Sequence, residues 1–103
     1  SIFKEKISKY IIMSYTITEH TRRQARKLGV TVKRSLRKGK KIAVFRGEKK
    51  LADVGAIGYG DYGTNLKKGK QYADERRRLY KIRHNKDRHK VGTPSYWADK
   101  LLW

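Results

Sequence analysis

Hydrophobic and polar residues change period several times along this chain, and each change marks an element. Phe3, Ile7, Tyr10 and Ile11 recur at helical spacing against Lys4, Glu5 and Lys9, which predicts a short amphipathic helix over residues 1–13. Thr18 suits an N-cap, so a second helix is expected over Glu19–Leu28, closed by Gly29. The period then shortens to two. Val30-Thr31-Val32 and Ile42-Ala43-Val44-Phe45 are rich in β-branched residues, and Arg37-Lys38-Gly39-Lys40 separates them as the turn of a hairpin. A third strand is expected over residues 51–57, after a turn at Arg46-Gly47-Glu48.

From Gly55 to Gly63 the chain carries four glycines and two tyrosines, which predicts a shaped loop with positive φ angles or close backbone approach. Asp74 and Glu75 suit the first turn of a helix running to about His84, with Arg83 and His84 in its last turn. Thr93-Pro94 joins an N-cap hydroxyl to proline at the first helical position, and the helix it starts brings Trp97 and Leu101 together, with Ala98 and Leu102 beside them. The expected fold class is α+β. A small antiparallel hairpin or three-stranded sheet, at about residues 30–57, would be flanked by N-terminal helices and two C-terminal helices. Residues 1–29 read as an N-terminal helical arm and residues 30–103 as a basic α+β domain; Met13 is a candidate start, with residues 1–12 an upstream extension.

Composition changes this picture mainly through charge. The 103 residues make one domain at most, which buries about two-thirds of its unfolded surface. Lys and Arg number 28 against 9 Asp and Glu, a formal net charge of +19, and only 37% of residues are hydrophobic. Seven Tyr, two Trp and two Phe nonetheless supply enough ring area for a core, so a foldable chain is expected, fully ordered mainly when a partner neutralises it. The absence of cysteine excludes a disulfide framework and the usual structural zinc sites. The run Tyr10-Ile11-Ile12-Met13 is too short to span a bilayer, and Lys4, Lys6 and Lys9 interrupt any secretory apolar region. The expectation is a soluble intracellular or particle-associated protein that is not secreted and makes no membrane contact.

The cations fall in two blocks. Ten of the twenty residues from Arg22 to Lys41 are basic and none is acidic: Arg22, Arg23, Arg26, Lys27, Lys33, Arg34, Arg37, Lys38, Lys40 and Lys41. Eight lie between Arg76 and Lys90, with only Asp87 opposing them; Arg76, Arg77, Arg78, Lys81, Arg83 and Arg88 are the candidates there. A small fold carrying this surplus is expected to bind a polyanion. Against nucleic acid, Arg23, Arg26, Arg77, Arg78 and Arg83 would fork onto phosphate oxygens, and Lys38, Lys40 and Lys41 would act as point charges at the hairpin tip. No zinc-finger, RRM or KH signature is present, so base-specific reading is not expected; Tyr59 and Tyr62 would either stack on exposed bases or pack on the sheet. Against acidic protein surfaces, Trp97, Leu101, Leu102 and Trp103 would supply apolar anchors, with a core position the alternative for Trp97.

Catalytic chemistry is not expected. Ser8, Ser14, Ser35 and Ser95 lie in no nucleophile-elbow context, His84 and His89 are five apart, and His20 is remote from both. The glycines lack the Walker and dinucleotide patterns, and Asp61 is expected to accept backbone N–H groups in its turn. No metal, cofactor or small-molecule substrate is implied.

Val54-Gly55-Ala56-Ile57-Gly58-Tyr59-Gly60-Asp61-Tyr62, followed by Arg77-Arg78-Leu79-Tyr80, Arg83-His84, Gly92, Trp97 and Leu101-Leu102-Trp103, resembles a family of small basic proteins encoded by large DNA viruses of algae and protists. The resemblance covers roughly residues 30–103, and members of that family continue past the Leu-Leu-Trp with a short proline-containing tail. It implies a viral setting: a protein of the virion, present in host cytoplasm or nucleus during assembly. The first expectation is therefore a non-enzymatic structural component of such a particle, a minor capsid or capsid-associated protein bridging acidic capsid subunits. The second is a sequence-nonspecific protein that condenses or chaperones viral DNA or RNA through its backbone.

Overall fold

The computed structural model describes residues 15–103, and the helix expected over residues 1–13 lies outside them. Helix α1 (Glu19–Leu28) begins where the Thr18 hydroxyl accepts the N–H of Thr21 at 3.3 Å, and ends where Gly29 turns left-handed at φ 69°. Both ends match the sequence expectation, for the reasons given there: a side-chain acceptor for an orphan N–H, and a residue without Cβ at the reversal.

The alternating segment forms strands β1 (Thr31–Arg34), β2 (Lys40–Arg46) and β3 (Lys49–Ala56), antiparallel in the order β1-β2-β3. Register pairs Val32 with Val44 and Ile42 with Val54, so four β-branched side chains share one face. Helix α4 (Pro94–Leu101) covers that face with Trp97 and Leu101, and Leu102 follows them into the core. Burying each such aliphatic side chain contributes about 1.5–3 kcal/mol. The fold is α+β. Ala25 and Val30 complete the same core, so over residues 15–29 the expected arm packs as part of the domain and the chain shows no break at 29/30.

The glycine-rich stretch is more regular than a loop. Strand β3 runs through Gly55 at φ 85°, where an added Cβ would stand 2.8 Å from Leu102 Cδ1. Asp61 then caps helix α2 (Tyr62–Asn65), and the N–H of Tyr62 donates to the Leu102 carbonyl at 3.0 Å. An added Cβ at Gly63 would overlap Thr18 Oγ1, so this glycine sets how closely α2 approaches the start of α1.

A 3₁₀ turn at Leu66–Lys68 leads into helix α3 (Lys70–Arg83). The expected start near Asp74 is four residues late. Gly69 at φ 111° breaks the 3₁₀ turn, and Ala73 is fully buried, so packing rather than an acidic first turn begins this helix. Its last turn carries Lys81 and the expected Arg83, while His84 stands just beyond it as the C-cap, and Thr93 starts α4 by accepting the N–H of Tyr96 at 3.2 Å. Buried Asp99 of α4 ties α3 in place through Lys81, whose Nζ is 2.5 Å from Oδ1, and holds Arg88 of the turn beyond α3 at 3.6 Å from Oδ2.

Candidate functional site

Lys41 leaves the expected polyanion set. Lys40 pairs with Ala56 in the β2–β3 ladder, so Lys41 lies inside the sheet rather than at the hairpin tip. Its side chain is 3% exposed, with Nζ 2.9 Å from Oδ2 of fully buried Asp61 and 2.7 Å from the Tyr59 carbonyl. The Tyr15 hydroxyl donates to the same Oδ2 at 2.6 Å, and Asp61 Oδ1 accepts the N–H of Thr64 at 3.0 Å, the backbone role foreseen for Asp61. Burial first, then the hydrogen bond to Asp61, pushes the Tyr15 hydroxyl pKa well up, so it stays a donor.

Four of the six expected anchors are internal. Trp97, Leu101 and Leu102 belong to the core, and Tyr62 is buried with its hydroxyl donating to Asp74 Oδ1 at 2.7 Å. A domain this small needs its largest apolar side chains inside. Tyr59, 77% exposed, and half-buried Trp103 keep a surface.

Most of the remaining cations of the first block meet no carboxylate among the described residues. Arg22, Arg23 and Lys27 are exposed on α1, and Arg22 meets Lys33 and Arg34 of β1 around a shallow depression of about 340 Å³. Arg37 and Lys38 are exposed at the hairpin tip, and Lys40 is half-buried at the start of β2. Arg26 differs, because it pairs with Glu19 at 2.9 Å.

Helix α3 divides the second block between two faces. On one, acids hold the cations: Arg77 lies 3.5 Å from Asp74 and 3.9 Å above the Tyr62 ring centroid, Arg78 is 2.6 Å from Glu75, and Lys81 and Arg88 pair with Asp99. On the other, Tyr72, Arg76, Tyr80 and His84 succeed one another at four-residue spacing, with Arg83 adjoining. That face forms one wall of a cleft of about 660 Å³; Tyr59 and Lys68 also border it, and Leu102 and Trp103 reach into it. Among the described residues no Asp or Glu lines the cleft, and Lys68, Arg76 and Arg83 have no carboxylate within 4.0 Å.

Rings organise the cleft as much as charges do. The Tyr80 ring stacks on Trp103 at 4.4 Å between centroids with 10° between planes, and on His84 at 4.3 Å. Lys68 Nζ lies 5.3 Å from the Tyr72 centroid. Lys68, Tyr72, Tyr80 and His84 were absent from the candidate set. Their signal was in the sequence, as the Tyr-x3-Arg-x3-Tyr-x3-His spacing, but a helix begun at Asp74 leaves Tyr72 outside it.

His20 sits half-buried with its ring 4.7 Å from that of Tyr62. Burial, with Arg77 and Arg23 nearby, lowers its pKa and favours the neutral ring. No group of three or more His, Cys, Asp or Glu with metal-binding geometry occurs among the described residues.

Fold and site together define a small α+β domain with segregated cations and one cation-and-aromatic cleft. Compared with protein-family models, curated proteins and solved structures, the chain matches none.

Proposed function

We propose that this protein is a non-enzymatic, sequence-nonspecific nucleic-acid-binding protein that holds the phosphate backbone through its unpaired cations. One observation carries the reading: among the described residues the carboxylates pair with a particular subset of Lys and Arg, leaving the cleft and the depression around Arg22, Lys33 and Arg34 with no acid in their linings. Phosphates arranged along a strand suit such a surface, because each contact releases condensed counterions. Taken with the viral setting that the resemblance implies, the proposed partner is the packaged genome or its transcripts. The bridging of capsid subunits by C-terminal apolar anchors has less support, since Trp97, Leu101 and Leu102 are spent on the core.

Fluorescence anisotropy of the full chain against labelled duplexes of unrelated sequence tests this directly. With about six phosphates contacted, affinity should fall about a thousandfold between roughly 50 and 200 mM salt, equally for every sequence. Absence of binding at low salt, or affinity indifferent to salt, would overturn it.

A further inference from the structure

We infer that the cleft between α3 and the end of β3 is a base-stacking subsite for single-stranded nucleic acid, so that the protein prefers unpaired strands to duplex. This rests on the nucleic-acid reading above and adds the form of the ligand.

The chemistry of the walls points that way. Phosphate binding alone needs cations, yet this cleft sets Tyr59 and Tyr72 at its mouth, both exposed, beside Lys68 and Arg76. Tyr59 stands 77% in solvent. Its face is open to another flat ring, and a base whose partner strand is absent offers one. Bases within a duplex have their faces covered by neighbours and present only edges, so the same recess would exclude them.

Size and charge spacing agree. Clefts that take small planar groups measure about 300–1,000 Å³, and this one is about 660 Å³. Arg76 and Arg83 are seven residues apart on α3, about 10 Å along the helix axis. That separation spreads positive charge along a chain rather than focusing it on one small anion. Beneath them the stacked Tyr80 and Trp103 rings brace each other and shape an aromatic floor.

The experiment uses the full chain and three short probes of equal length: an oligothymidylate, a fully abasic single strand, and a duplex. Oligothymidylate should bind about tenfold or more tighter than the abasic strand, the usual scale for stacking on an aromatic platform. It should also bind more tightly than the duplex. The Tyr59→Ser/Tyr72→Ser double variant should lose most of that difference while keeping its abasic-strand affinity, which also shows that it folds. Equal binding of oligothymidylate and abasic strand would overturn the subsite and leave backbone binding standing. Persistence of the preference in the double variant would overturn it as well, by locating the base elsewhere. Binding to none of the three would end both proposals together.

Discussion

Lys41 and Asp61 show how one residue pair can mislead a reading of charge. By composition Lys41 is one cation among ten in its block, yet it is the one enclosed with a carboxylate, a tyrosine hydroxyl and a carbonyl around it. Nothing in the residue type announces this; it follows from the register that carries Lys40 and Lys41 into the ladder. Removing one member of such a pair leaves the other charge buried and unmatched. Lys41→Met should therefore lower unfolding free energy by about 3–5 kcal/mol in a denaturant titration. Adding Asp61→Asn should recover part of that loss.

His20 makes a second residue-scale prediction. Its folded pKa lies below its unfolded value, so the unfolded chain binds the extra proton first as pH falls. The neutral ring's contribution is complete above about pH 6.5 and is lost as pH falls through that value toward the folded pKa. Thermal melts between about pH 7 and 5 should show declining stability, and His20→Gln should flatten the slope. The carboxylates act lower on the scale: Lys50 and Ser35 hold Asp53 below its ordinary pKa, so its contribution fades only under more acid conditions.

Elements were legible wherever a local signal decided them. Thr18 and Thr93 start α1 and α4 because an N-cap hydroxyl needs only its own helix, and Gly29 ends α1 for the same reason. Thr93→Ala should accordingly cost about 1 kcal/mol of stability, read as a lowered midpoint in chemical denaturation with binding unchanged. Helix α2 and the first turn of α3 were not legible. Asp61 caps α2, but Tyr62-Gly63-Thr64-Asn65 has no helical preference, and the segment is held by Leu102 accepting from Tyr62 and by Thr18 against Gly63. Those are contacts between residues distant in sequence. The same gap hid Tyr72, and with it the aromatic half of the cleft.

At the scale of the molecule, net charge raises the expectation of a polyanion partner but does not say which cations would face one. That sorting depends on where the fold places its acids: Asp74, Glu75 and Asp99 all serve one side of α3, leaving Arg76 and Arg83 to the other. Uncompensated charge also works against the free fold, so added salt should act with opposite sign on its two properties. Raising salt from about 20 to 200 mM should raise the melting temperature of the free chain while weakening the proposed complex with DNA.

The sorting of cations is the centre of this account, and a salt-slope comparison tests it most directly. Log affinity for DNA against log salt should be measured for the wild type and for two triple variants. The first is Lys68→Gln/Arg76→Gln/Arg83→Gln; the second, Arg26→Gln/Lys70→Gln/Arg78→Gln, removes the same formal charge from residues already paired with acids. The first should flatten the slope by about two to three, and the second should change it little. Equal flattening in both would contradict the account, because binding would then follow total charge and owe nothing to the fold's arrangement of it.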